Sequence, residues 1–170
     1  MQVNTIHDVF VDQLADLYSA EQQLVQALPK VAQAANDQKL REAFQMHLDQ
    51  TRGHVERLDR VFQSMGISVP QEHCEGMEGL LKEGDQVVQA SGSGPAKDAA
   101  LIAAAQRVEH YEIAAYGTAK TLADQLDLPD ASDLLDQTLD EESAADKMLS
   151  KIATGGMLGT GVNQEADSSR

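Results

Sequence analysis

Apolar residues recur at helical spacing along most of the chain, and four stretches carry the pattern longest. From Thr5 the stripe Phe10, Leu14, Leu17, Leu24 and Leu28 lies on one face, as in a helix turned toward a core; Glu21 interrupts it. Thr5 followed by Asp8 has the spacing of a capping box that would open this helix. Pro29 falls inside the pattern, and because periodicity resumes at Val31 it predicts a kink, with the helix continuing to about Ala35. Asn36 or Asp37 can cap a second helix that Gly66 stops, with Leu40, Phe44, His47, Thr51, His54, Leu58 and Phe62 inward. A third opens near Pro95 and ends near Leu126, its stripe being Ile102, Ala105, Glu109, Glu112, Tyr116, Ala119 and Ala123. Pro129 opens a fourth to about Ala153, with Leu135, Leu139, Glu142, Asp146 and Leu149 on one face.

Residues 67–97 join the two pairs and hold Pro70, the SGSGP run and a middling helix pattern from about Glu75 to Gln89. A structureless connection of that length would be unusual, so a crossover with its own short helix is expected. The fold class is therefore all-α: a four-helix bundle of two antiparallel hairpins joined by a long crossover. Residues 1–153 form the bundle, and residues 154–170, Gly-rich and then polar, read as a flexible tail.

Each stripe is broken by polar residues near its middle. In an antiparallel hairpin, residues equidistant from the turn share a level. Reflecting Glu21 through a turn near residue 36 reaches the neighbourhood of Gln50, Thr51 and His54; reflecting Glu112 through a turn near residue 128 reaches Glu142 and Asp146. Each hairpin thus gathers its inward polar residues into one layer. If the layers coincide, five carboxylates and one or two imidazoles share a small volume, and two charges about 5 Å apart repel by roughly 3 kcal/mol at an effective dielectric near 20. Cations would resolve this, and metal is the favoured reading. The alternative is a polar core of protonated acids and buried water.

Net charge is -15, from 13 Lys plus Arg against 28 Asp plus Glu, so nucleic acid and anionic membranes are not expected partners. The N-terminal segment has neither a basic nor an apolar leader pattern, and a cytoplasmic location is expected. Cys74 is the one cysteine and is read as a packing residue. Carboxylates with imidazole and no thiolate suit iron first, then manganese or zinc. His54 is the expected nitrogen ligand. His47, two turns away with its ring about 10 Å distant along the axis, is read as a core or supporting histidine ahead of a ligand, and which of Gln50, Thr51 or His47 completes the site is left open. His110 is expected off the core face, Tyr116 as a buried ring with a satisfied hydroxyl, and Tyr18 and Tyr111 as packing residues.

YSAEQQL at 18–24, LIAAAQRVEHYEIAAYGT at 101–118 and TLDEE at 138–142 resemble the YciE/YciF family of bacterial ferritin-like proteins associated with stress responses. The likeness covers about residues 3–153. It implies a ferritin-like bundle, a homodimer, and a di-metal centre related to that of rubrerythrins. It also implies Glu21 as the lone carboxylate of the first helix, Glu109 and Glu112 as the pair of the third, and Glu142 as a bridging or terminal ligand of the fourth. The second helix departs from the Glu-x-x-His pattern of di-iron proteins, since Thr51 stands three before His54 and Gln50 four before it. In the fourth, Asp146 stands one position after the expected His. With His54 and Asp146 from the reading of the stripes, the expected ligand set is Glu21, His54, Glu109, Glu112, Glu142 and Asp146, holding two di- or trivalent ions, with Fe(II) oxidation or peroxide consumption as the expected chemistry. Two rival expectations are a non-catalytic stress protein whose acids bind metal only for stability, and a bundle that docks a partner through the crossover helix and the Met-bearing tail.

Overall fold

The computed structural model describes residues 3–92, 94–156 and 159–168, and all its regular structure is helical. Four long helices, α1 (Ile6–Ala34), α2 (Gln38–Ser64), α4 (Gly94–Gln125) and α5 (Pro129–Thr154), form the bundle. A shorter α3 (Glu75–Gln89) lies in the crossover, and α6 (Val162–Ser168) follows the last long helix.

The termini form as their residues dictate. Thr5 Oγ1 accepts from Asp8 N at 3.1 Å while Asp8 Oδ2 accepts from Thr5 N at 3.0 Å, closing the capping box of α1. Asp37 caps α2 by accepting from Leu40 N at 2.8 Å. Helix α1 runs through Pro29. Cys74 caps α3, its Sγ accepting from Met77 N at 3.3 Å, and the same buried thiol meets Tyr111 Oη at 3.0 Å. Tyr111 lies against Gly76, where a Cβ would stand 2.9 Å from the ring. Burial pushes the thiol pKa up, which fits a packing cysteine.

Around the bundle α1 neighbours α2, α2 neighbours α5, α5 neighbours α4, and α4 returns to α1, while α3 covers the outside of α1 and α4. The depth at which the hairpins meet is set by Asp98. This buried carboxylate, one turn into α4, accepts from the backbone N–H groups of Asn36 at 2.8 Å and Asp37 at 2.7 Å in the α1–α2 turn. Glu112 lies fourteen residues beyond Asp98 and Glu21 fifteen before Asn36, so at about 1.5 Å per residue both sit roughly 21–23 Å from that end. The two polar layers coincide.

The apolar core is accordingly split. One cluster holds Leu24, Leu28, Leu40, Phe44, Leu101, Ile102 and Leu149; the other holds Phe10, Leu14, Leu17, Leu58, Phe62, Tyr116 and Leu135. Between them lie Glu21, His47, Thr51, His54, Glu109, Glu112 and Glu142, all buried.

The tail differs from the flexible segment expected of its sequence. Its described residues carry α6, and Val162 is buried in the first cluster. Glycine is used there for close packing: a Cβ on Gly155 would stand 2.2 Å from Gly159 O and one on Gly161 2.3 Å from Gly155 N. Met157, on which the tail interface expectation partly rested, lies outside the described residues.

Candidate metal centre

Each helix contributes to the polar layer from its inward stripe. Helix α1 gives Glu21, α2 gives His47 and His54 seven residues apart, α4 gives Glu109 and Glu112 at i and i+3, and α5 gives Glu142. Glu21, His54, Glu112 and Glu142 have no exposed surface, and Glu109 and His47 retain only 3% and 4%.

These six form two overlapping groups. In the first, His54 Nδ1 stands 2.9 Å from Glu142 Oε1 and 3.3 Å from Glu21 Oε1. In the second, His47 Nε2 stands 3.4 Å from Glu109 Oε1 and 3.8 Å from Glu142 Oε2, and Glu112 joins them. Within each group one ligand atom per residue lies within 4.8 Å of all the others. Glu142 belongs to both, with one oxygen toward each, which is the placement of a bridging carboxylate.

Atoms of the same six residues lack hydrogen bonds. Among the described residues, every buried side-chain nitrogen or oxygen without a hydrogen-bond partner belongs to these six: both oxygens of Glu112 and Glu142, one each of Glu21 and Glu109, both nitrogens of His47, and His54 Nδ1. The short Nδ1–Oε1 approach is an ion-pair distance whose direction does not suit a ring N–H, so it satisfies neither atom. Buried polar groups are otherwise almost always paired, so exceptions confined to six clustered side chains point to a missing partner between them.

Protons partly fill that role in the metal-free chain. Burial lifts the pKa values of Glu109 and Glu112 well above the carboxylate range, and the charge on Glu142 lifts both further. Burial also raises Glu21, against the pull of His54. Burial disfavours a cation at His54, yet the carboxylates of Glu142 and Glu21 outweigh it and push its pKa up to about 10. Glu142 is held low, burial being overcome by His54 and His47. His47 is lowered by burial and stays neutral, as a ligand must be. Carboxylates and imidazoles, His54 becoming neutral when a cation displaces its proton, are a donor set for iron, manganese or zinc. The residues fit a metal.

Around His54 the supporting contacts are complete. Its Nε2 pairs with Glu141 Oε2 at 2.9 Å, and Arg57 grips Glu141 with NH1 to Oε2 at 2.9 Å and NH2 to Oε1 at 2.6 Å. With Nε2–H donated to Glu141, the ring is turned so that Nδ1, once it has lost its proton, would present a lone pair to the first group, the arrangement by which carboxylates orient metal-bound histidines. Tyr116 Oη donates to Glu21 Oε1 at 2.5 Å, consistent with the hydroxyl being satisfied by the site. Thr51 turns its hydroxyl back to His47 O at 2.8 Å and offers nothing to the cluster. Gln50 borders a small cavity of about 10 Å³ beside His47.

Asp146 does not join the others. One turn beyond Glu142, its short side chain is taken up by α4: Oδ1 accepts from Gln106 Nε2 at 2.8 Å and lies 3.4 Å from Nε2 of the exposed His110. His47 corrects the reading in the opposite sense. Its ring centroid is 6.4 Å from that of His54, because the side chains lean together across the axial separation of their backbones. Glu141 and Arg57 carried no signal in the apolar stripes; the one available hint was that Arg57 follows His54 by three and Glu141 precedes Glu142.

Comparison with known proteins places this geometry in a family. The chain is 48% identical to protein YciF of Escherichia coli (strain K12) over 154 residues, 90% of this chain and 93% of that protein. The crystal structure of the E. coli stress protein YciF matches with a TM-score of 0.86 over 88% of this chain and 94% of that one. YcfI of Rhodopseudomonas palustris, whose description proposes a structural role, matches at 38% identity and a TM-score of 0.86, covering 89% and 97% of the two chains. A protein of Xanthomonas campestris pv. campestris shares the fold at 15% identity and a TM-score of 0.70, over 97% of this chain and 94% of that one. Residues 5–166 match the family described as a domain of unknown function, DUF892, and the chain belongs to that family alongside its likeness to YciF.

Proposed function

We propose that this chain is a stress-response protein built around a di-metal carboxylate centre, with iron as the preferred metal. The observation that carries the reading is that the unpaired buried nitrogen and oxygen atoms of the described residues all belong to six side chains from helices α1, α2, α4 and α5, which gather in two overlapping groups. Glu21 and His54 hold one ion, His47, Glu109 and Glu112 the other, and Glu142 spans both. Four carboxylates and two neutral imidazoles balance two divalent charges, which removes the repulsion that protons otherwise relieve. When bound, iron supplies one-electron redox chemistry, and the activity proposed is oxidation of Fe(II) or consumption of peroxide. The chain contributes a shielded site, an oriented His54 and a hydrogen bond from Tyr116 that holds Glu21. A homodimer in the cytoplasm is the proposed setting; among the described residues no helix is long and apolar enough to cross a membrane.

The test is elemental analysis of protein purified without chelator. Two metal ions per chain are expected, and Glu109→Ala combined with Glu142→Ala should abolish them; retention of metal by the double variant would sink the assignment. A second reading, a structural protein that uses metal only for stability, is favoured by the role proposed for YcfI of R. palustris. Loaded protein that consumes neither Fe(II) nor peroxide above background decides for it.

A further inference from the structure

Of the six converging residues only Glu109 and His47 keep any exposure, so whatever enters the centre from outside meets it there. Beside His47 the opening is slight, with room for about one water. Beside Glu109 lies a cavity of about 70 Å³ between α1, α3 and α4. Its walls include Leu24, Leu28, Leu101 and Val108, and Glu109 also lines it. The space exists because facing positions on the three helices carry little side chain: Ala27, Gly84 and Ala104. At the outer rim Lys30 and Asp85 form an ion pair that ties α1 to α3.

Size and chemistry together select the occupant. Sites for drug-sized ligands span about 300–1,000 Å³, so this one takes a molecule of a few heavy atoms. Between Glu109 and the Lys30–Asp85 pair at the rim the lining is apolar, so most of the cavity offers no partner to water or to the hydroxyls of hydrogen peroxide, whose burial there is unfavourable. Apolar cavities of this kind take up xenon and similar nonpolar species. Dioxygen meets the same requirements.

We propose that this cavity is the dioxygen site of the metal centre, where O2 collects under α3 and reaches the ions past Glu109. The inference rests on the metal reading above and makes dioxygen, rather than peroxide, the oxidant. The step balances when two ferrous ions give one electron each, one O2 takes both together with two protons from water, and hydrogen peroxide leaves.

Xenon tests the site without metal. Under xenon pressure the methyl resonances of Leu24, Leu101 and Val108 in the metal-free chain should shift saturably, and Ala104→Leu should abolish the effect. Gly84→Leu closes the rim from a helical position where an added Cβ meets nothing within 4 Å, and it serves should Ala104→Leu fail to fold. With Fe(II) bound anaerobically, the plugged variant should oxidise about tenfold more slowly at limiting O2, while Fe(II) binding and peroxide-driven oxidation keep wild-type rates. Unmoved methyl resonances, or wild-type O2 rates in the plugged variants, overturn the proposal. Wild-type protein that binds Fe(II) but is oxidised by peroxide alone overturns the dioxygen site and leaves the metal centre standing. Wild-type protein that binds no metal overturns both.

Discussion

Around His54 two of the side chains are tied down: Glu141 and Arg57 hold the ring, Tyr116 holds Glu21 through Oε1, and neither Glu21 nor His54 has any exposed surface. Around His47 the opposite holds. Neither ring nitrogen has a hydrogen bond, neither oxygen of Glu112 has one, and both residual openings of the centre lie on this side. The first half is oriented before any cation arrives, and the second is organised by what it binds. Preorganisation favours affinity, whereas groups without fixed partners can shift as ligands come and go. On the metal reading proposed above, the His54 half is expected to be the tight site and the His47 half the adjustable, accessible one.

The largest expected effect comes from the residue the halves share. Glu142→Ala should lower metal content from two ions per chain to nearly none, whereas Glu112→Leu should empty only the His47 half. In the metal-free state Glu112→Leu should also stabilise the fold by about 1–3 kcal/mol, since it removes a buried carboxyl with no partner. Elemental analysis and chemical denaturation check both. Equal metal loss in the two variants would break the distinction between the halves.

A smaller effect isolates the support of His54. Arg57→Met frees Glu141, whose carboxyl Arg57 and His54 hold below the ordinary range despite its partial burial, and loosens the ring. Affinity at the His54 half should fall about 10–100-fold with the other half unchanged, as read by chelator competition.

The smallest effect is in pH. The raised Glu109 and Glu112 stabilise the metal-free fold below the ordinary carboxylate range, and this is lost as pH rises through their raised values. His54, raised from 6.5 to about 10, likewise contributes at low pH and loses its contribution as pH climbs toward 10. Glu142, held low, has the opposite sign, but only below the carboxylate range. Metal-free protein should therefore melt at a lower temperature at about pH 9 than at about pH 6, and loaded protein should show a weaker trend because cations replace the protons. Parallel melting series would remove the role assigned to protons.

The four long helices were legible because each buries one apolar stripe, and Glu21, Glu109, Glu112 and Glu142 because they interrupt those stripes at one level. Periodicity says which face a residue is on and not where its side chain ends. Asp146 therefore lies on the right face but is bonded to Gln106, and His47, which the spacing favours as a core residue over a ligand, leans its ring toward His54. Glu141 and Arg57 meet only because α2 and α5 are neighbours, which no single stripe records. The tail misled because glycine reads alike whether it frees the backbone or lets two segments cross.

Asp98 has a consequence for the lineage as well as for the molecule. By pinning the start of α4 to the α1–α2 turn, it works as a surveyor's benchmark from which both hairpins are measured. The intervening crossover can then lengthen, shorten or drift in composition without moving any ligand from its level, whereas one residue inserted between Asp98 and Glu109 would rotate the carboxylates of α4 by about 100° and dismantle the centre from afar.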